Sequence, residues 1–162
     1  MVKRMKHNPG RAVKPELIYM DTGALIAFFD KGDKNHEIVV SYFESSVLEG
    51  VKFVVGRPVL AEFLNGASKI NGKHVAIQLK NLICSSKYIF IENETEEDWE
   101  KAWRLFEKFK DQDGMDLVDC LSFAIMERLE ITKAFTFDSD FATYGFTVVP
   151  RPLKPKKKQK RK

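Results

Sequence analysis

Residues Met115 to Phe141, MDLVDCLSFAIMERLEITKAFTFDSDF, constrain the fold more than any other stretch of the chain. From Leu117 to Leu129 apolar residues occupy nearly every side of a predicted helix. Leu117, Leu121, Ala124 and Ile125 lie on one side, and Val118, Phe123, Met126 and Leu129 are spread over most of the rest. A helix of that kind is packed almost all round. Asp119 is out of place in it, because an ionised carboxylate among apolar neighbours is unfavourable unless a cation or a strong donor compensates it. A metal ion would do so. The run Ala134 to Phe137 then reads as a buried strand, and Asp138 and Asp140 follow where the strand hands over to a loop. Asp116 and Asp119, three apart, share a helix face. The plainer alternative is that Asp116 only caps the helix and that Asp138 and Asp140 are turn residues.

The rest of the chain supplies strands that alternate with helices. Leu17 to Met20 is a short apolar run ending in Asp21-Thr22-Gly23, with a helix-like segment from Ala24 to Phe29. Glu37 to Leu48 carries Ile38, Val39, Tyr42, Phe43 and Val47 at helical spacing and is closed by Gly50. Phe53 to Val55 is a second buried strand. Arg57-Pro58 then suits a helix start, because proline is tolerated in the first turn, and Glu62 falls in the early turns of that helix. Asn71 to Cys84 reads as a further helix and Tyr88 to Ile91 as a third strand. Thr95 and Asp98 have the spacing of a capping box. The helix they open has Trp99, Ala102, Trp103, Phe106 and Phe109 on a stripe that reads as core rather than as a base-stacking platform. A last strand, Thr147 to Val149, precedes Pro150 and Pro152.

This alternation implies parallel pairing through right-handed crossovers, hence an α/β fold in three layers, with a central parallel sheet between helices. A chain of 162 residues suits one domain. No apolar run reaches the length of a membrane span, and no apolar stretch follows the basic N-terminus as a signal peptide would require. A cytoplasmic protein without a membrane partner is expected. Cys84 and Cys120 lie in separate apolar segments and read as buried free thiols, while His7, His36 and His74 are too scattered for a zinc site or a Ser/His/Asp triad.

The formal charge of +4 conceals a division. Residues 1–15 hold five Lys/Arg and no acid, and residues 151–162 hold eight and no acid. The body, 16–150, keeps the other 14 of the 27 basic residues against all 23 acidic ones, a formal charge of −9. A basic N-terminal arm, a folded body and a basic C-terminal tail are therefore expected. A tail of this composition reads as disordered and suited to polyanions, with Lys156, Lys157, Lys158, Lys160, Arg161 and Lys162 as candidate RNA contacts. Solubility and nuclear localisation are the alternatives for the same run.

In open parallel sheets ligands gather beyond the carboxyl ends of the strands. Asp21 and Asp138 follow strands directly, Glu62 begins a helix after a strand, and Asp119 opens the long apolar helix, so all four can reach one sheet edge. Converging carboxylates without a basic partner repel one another and stay protonated unless a divalent cation sits among them. Mg²⁺ and Mn²⁺ prefer such oxygen ligands, and they suit phosphodiester hydrolysis by activating water and stabilising charge on phosphoryl oxygens.

Asp21-Thr22-Gly23, Leu60-Ala61-Glu62, the run Leu117 to Ala124 and Thr136-Phe137-Asp138-Ser139-Asp140-Phe141 together resemble the PIN domain, most of all the toxin ribonucleases of the VapBC type. The resemblance covers about Leu17 to Val149. It implies an α/β/α sandwich, Mg²⁺ or Mn²⁺ bound by Asp21, Glu62, Asp119 and Asp138 with Asp116 and Asp140 as accessories, and endonucleolytic cleavage of RNA. Thr136 matches a hydroxyl that supports the metal-binding acids. A cognate antitoxin and a homodimer are implied partners. The two basic arms depart from the compact toxin pattern. The main rival is a PIN-fold RNA-binding or scaffold protein with weak or no nuclease activity. An aspartyl-phosphate phosphotransferase is disfavoured, because Asp21-Thr22-Gly23-Ala24 lacks the second acid that such a site wants two residues on.

Overall fold

The computed structural model describes residues 13–151. The expectations for residues 1–12 and 152–162, including every candidate tail contact, lie outside the described residues. Five strands, β1 (Leu17–Met20), β2 (Lys52–Gly56), β3 (Ile89–Glu92), β4 (Lys133–Phe135) and β5 (Thr147–Val149), form one sheet in the order β3-β2-β1-β4-β5. Every neighbouring pair is parallel. Between them run α1 (Thr22–Phe29), α2 (His36–Leu48), α3 (Arg57–Asn71), α4 (Lys73–Ser85), α5 (Glu96–Lys108), α6 (Leu117–Arg128) and α7 (Ser139–Tyr144). The α/β class and the parallel sheet flanked by helices are as the sequence implies.

Strand register assigns the two faces. Ile18 pairs with Phe53 and Met20 with Phe135, so these four side chains share one face, whereas Tyr19 pairs with both Val54 and Ala134 and points to the other. On the first face α2 packs through Phe43, stacked on Phe53 with centroids 4.7 Å apart, and Tyr42, edge-on to Phe135 at 5.0 Å. On the second face lies α6, whose Ser122 accepts a 2.8 Å hydrogen bond from the buried Tyr19 hydroxyl. Three layers follow. Phe53, Phe123, Phe135 and Phe141 are fully buried, and each such side chain contributes about 1.5–3 kcal/mol by leaving water.

Helix boundaries follow local chemistry. Arg57 and Pro58 start α3, and Gly50, at φ +85°, ends α2 in the left-handed region that glycine adopts without strain. Asn71 ends α3 instead of opening α4, because Gly72 at φ +89° turns the chain between them. Residues 119–126 of α6 are all buried, as its all-round apolar pattern requires.

Three expectations fail. The fourth strand stops at Phe135: Thr136 still gives its backbone N–H to the Val149 carbonyl, and Phe137 beyond it is 41% exposed, because the chain there turns into the Asp138 cap of α7. Trp103 and Phe106 of the aromatic stripe are exposed: α5 buries Asp98, Ala102 and Leu105, while the aromatics pack on one another along the helix flank. Cys84 is exposed, and only Cys120 is a buried thiol. Among the described residues no helix is long and apolar enough to cross a membrane.

Candidate metal centre

The sheet builds outward from β1 in both directions, first to β2 and β3 and then, across β1, to β4 and β5. The crevice at such a switch point opens beyond the carboxyl ends of β1 and β4. Asp21 follows β1 immediately and is held by its backbone N–H bonded to the Phe135 carbonyl at 3.1 Å. Its carboxylate is 7% exposed and accepts the Thr136 hydroxyl at 3.0 Å. The same Thr136 oxygen accepts the Asp138 backbone N–H at 3.0 Å. One threonine thus ties the acid after β1 to the acid after β4.

Asp138 is the N-cap of α7, its Oδ1 accepting the Asp140 backbone N–H at 2.9 Å. Asp116 is the N-cap of α6. There the two acids exchange bonds, Asp119 N–H to Asp116 Oδ1 at 2.9 Å and Asp116 N–H to Asp119 Oδ2 at 3.2 Å. Capping and site formation coincide here, because the caps that place the helix starts also aim the carboxylates. Oxygen atoms of Asp119, Asp138 and Asp140 lie within 4.8 Å of one another, a spacing that fits around one cation. Glu62, exposed on α3, is held at the other flank by the Thr22 hydroxyl at 2.6 Å.

The electrostatics agree with that geometry. Burial, with Asp116 and then Asp21 and Asp138 adding repulsion, pushes Asp119 up to about 8 despite the Asp116 N–H bond. Burial likewise pushes Asp21 up to about 6, against the Thr22 N–H and the Thr136 hydroxyl, with Asp138 and Glu62 contributing. Asp140 is raised by burial and by Asp138. Among the described residues no positive charge is paired with these groups, and they share the chemistry of hard oxygen ligands, so the residues present fit a divalent cation. Beside Glu62, α3 and α6 flank a groove of about 540 Å³ that passes Asn65 to Lys69 and is walled by Trp99, Leu117 and Val118.

A family model described as the PIN domain matches residues 18–147. The chain belongs to the PIN domain family. It is 26% identical over 133 residues to the 23S rRNA-specific endonuclease VapC20 of Mycobacterium tuberculosis, covering 82% of this chain and 98% of that protein. The crystal structure of that Sarcin-Ricin loop cleaving toxin matches with a TM-score of 0.71 at 25% identity, over 80% of this chain and 96% of that one. VapBC2 from Rickettsia felis, solved bound to a DNA fragment from its promoter, shares the fold, with a TM-score of 0.63 at 15% identity over 82% and 96% of the two chains.

Within this PIN domain a carboxylate oxygen of Asp140 lies beside those of Asp119 and Asp138. Asp21 and Glu62 flank that group, and Asp116 serves it through the cap. Two participants carry no signal that the sequence reading used. Thr22 holds Glu62, although a hydroxyl one residue after Asp21 is a readable hint. Gly114 leaves room for Asp140, since a Cβ there would lie 2.7 Å from its Oδ2, and nothing local announces that requirement.

Proposed function

We propose that this PIN domain is a metal-dependent endoribonuclease that hydrolyses RNA phosphodiester bonds, a VapC-like toxin with an antitoxin partner. The observation that carries the reading is the convergence of Asp119, Asp138 and Asp140 beside buried Asp21, with no basic side chain among the described residues hydrogen-bonded to any of them. The likeness to an rRNA-specific endonuclease over nearly its full length supports RNA as the substrate class. The VapBC complexes among proteins of the same fold support the antitoxin partner, and a homodimer is part of the same reading.

Asp119, Asp138, Asp140 and Asp21 would hold Mg²⁺ or Mn²⁺. Bound there, the ion supplies a polarised water and neutralises charge on the phosphoryl oxygens. The chain's own residues do the positioning. Thr136 keeps Asp21 and Asp138 in register, the α6 cap keeps Asp119 turned to the crevice, and Thr22 fixes Glu62 where it can accept a proton from the attacking water. The groove beyond Glu62 offers an apolar wall to a neighbouring nucleotide and Lys69 to its phosphate.

Purified protein should nick RNA with Mn²⁺ and not with EDTA. Asp119→Asn keeps size and most hydrogen bonding while removing charge, and it should cut at least about a hundredfold more slowly, a loss of roughly 3 kcal/mol in barrier lowering. Cleavage by that variant equal to wild type at saturating Mn²⁺ would falsify the site assignment.

A further inference from the structure

Residues 19–22, where β1 runs out into the acidic crevice, make one hydroxyl-mediated contact with each element that brings another acid. Asp21 accepts from Thr136 after β4, which also holds Asp138. Thr22 donates to Glu62 on α3. Tyr19 donates to Ser122 of α6 at 2.8 Å. Tyr19 is 0% and Ser122 1% exposed. Among the described residues theirs is the one fully buried side-chain hydrogen bond between α6 and the sheet, since the Arg128–Glu92 contact at the far end of the helix is exposed. The next layer toward the carboxyl edge is the acids themselves. Asp21 lies two residues beyond Tyr19 in extended backbone, so it points to the same face about 6.6 Å nearer that edge. Asp119 lies three residues before Ser122 on the same side of α6, about 4.5 Å along the helix axis. Gly56, at the end of β2, keeps the space in which Tyr19 reaches across: a Cβ there would lie 2.5 Å from the Tyr19 hydroxyl oxygen and 3.1 Å from Ile125 Cδ1.

We infer that Tyr19, acting through Ser122, is a positioning residue for Asp119: the buried hydroxyl pair sets the roll of α6 against β1 and so keeps the Asp119 carboxylate turned to Asp21 and Asp138. This deepens the metal-centre reading and rests on it for what Asp119 is placed to hold. Residues 120–126 of α6 are buried, and Ser122 carries the one hydroxyl among them. Apolar burial is non-directional, and a core held by it alone loses a unique arrangement before it loses stability. A hydrogen bond is directional, and a buried hydroxyl left without a partner is costly, so the Tyr19–Ser122 pair selects one roll of the helix from those that bury its apolar faces equally well. The α6 cap then fixes the Asp119 side chain relative to its own helix, and the hydroxyl pair fixes that helix relative to β1. With Thr136 and Thr22, the end of β1 thereby sets the place of Asp138, Glu62 and Asp119 alike.

The test compares the wild-type chain with Tyr19→Phe, Ser122→Ala and the double variant, each also made together with Asp119→Asn. In metal-free protein, amide hydrogen exchange is followed at Asp119, whose N–H closes the α6 cap, and at Val39 in the first turn of α2 on the opposite face of the sheet. Losing either hydroxyl should speed exchange at Asp119 by about tenfold and leave Val39 within about twofold, because the change is local. Mn²⁺ affinity, read by calorimetry, should fall about tenfold in each single variant, with the double no worse than either, because the two hydroxyls act as one unit. With Asp119→Asn already in place, Tyr19→Phe should cost no further affinity. Exchange that rises alike at Asp119 and Val39 would overturn the inference by making the pair a general core contact. So would unchanged Mn²⁺ affinity in both single variants, or equal losses with and without Asp119→Asn, since the pair would then act by a route other than Asp119. Should Tyr19→Phe fail to fold, Ser122→Ala carries both readouts. A wild type that binds no Mn²⁺ breaks the metal reading alone, and the exchange comparison then decides the positioning by itself.

Discussion

The chain builds the same cap twice. Thr95 and Asp98 open α5, Asp116 and Asp119 open α6, and in each case an Asp at the third helical position accepts the N-cap backbone N–H while the N-cap side chain accepts in return. Both third-position acids are buried, Asp98 at 3% exposure and Asp119 at 8%. Asp98 has Arg128, whose Nε lies 3.1 and 3.0 Å from its two oxygens and which also binds Glu92 and the Asn93 carbonyl. Burial raises Asp98, but Arg128 outweighs it and holds the carboxyl below its usual range. Asp119 faces Asp116, Asp21 and Asp138 instead and rises to about 8. One local motif is thus a structural joint where the fold supplies the cation and, on the proposed reading, a binding site for a cation that comes from outside.

Removing the built-in cation should have the largest effect on stability. Arg128→Met leaves Asp98 buried without its partner, at a cost of about 2–3 kcal/mol, less than for a wholly buried pair because Arg128 is partly exposed. Urea denaturation should show that loss with and without Mn²⁺ alike. A loss that Mn²⁺ repairs would erase the distinction between the two caps.

Mn²⁺ at a hundred times its dissociation constant should stabilise the wild-type domain by about 2.7 kcal/mol through mass action. The two caps should also respond to pH with opposite sign. In metal-free protein Asp119 and Asp21 titrate near 8 and 6 when folded, against about 4 when unfolded, so between those values the native chain holds more protons. Their contribution to stability therefore falls as pH rises from about 4 to 8, and saturating Mn²⁺ should abolish that fall. Asp98, with its folded value lowered, contributes stability above the unfolded carboxylate range that is lost as pH drops below about 4. Thermal melts across pH 3 to 9, with and without Mn²⁺, read both signs; a metal-free domain that gains stability from pH 5 to 8 would contradict the assignment.

A smaller effect is expected at Thr136. Thr136→Val strips Asp21 of its hydroxyl donor and the Asp138 N–H of its acceptor, costing about 1–2 kcal/mol and roughly a tenfold fall in cleavage. Thr136→Ser should recover most of the activity. Equal losses in both variants would make the methyl packing, rather than the bridge, the reason for this residue.

Much of this was legible before the structure. Strand and helix alternation, the parallel sheet and the acids at its carboxyl edge follow from apolar runs, Gly50, Arg57-Pro58 and the oddity of Asp119 in an apolar helix. What makes room for Asp140 was not, because a Cβ at Gly114 would lie 2.7 Å from its Oδ2, a contact made across the fold rather than along the chain. The stripe Trp99, Ala102, Trp103, Phe106 and Phe109 holds only in part, Trp103 and Phe106 being exposed, because periodicity gives the spacing of a face and not its direction. The buried face is centred on Ala102 and Leu105, where Asp98 needs the approach of Arg128. Cys84 follows an apolar pattern on a helix that lies at the surface.

The most direct measurement is a calorimetric titration of Mn²⁺ into three proteins at pH 7: wild type, Asp119→Asn and Asp98→Asn. The wild type should bind Mn²⁺ and release protons as it does so, because Asp119 is largely protonated at that pH without metal. Asp98→Asn should be less stable to urea by about 1.5–3 kcal/mol, the worth of a hydrogen bond to a charged group, yet bind the metal as wild type does. Asp119→Asn should fold and lose at least about tenfold in affinity along with most of the proton release. Equal Mn²⁺ binding by wild type and Asp119→Asn, or none by the folded wild type, would contradict the claim that the second cap waits for a cation.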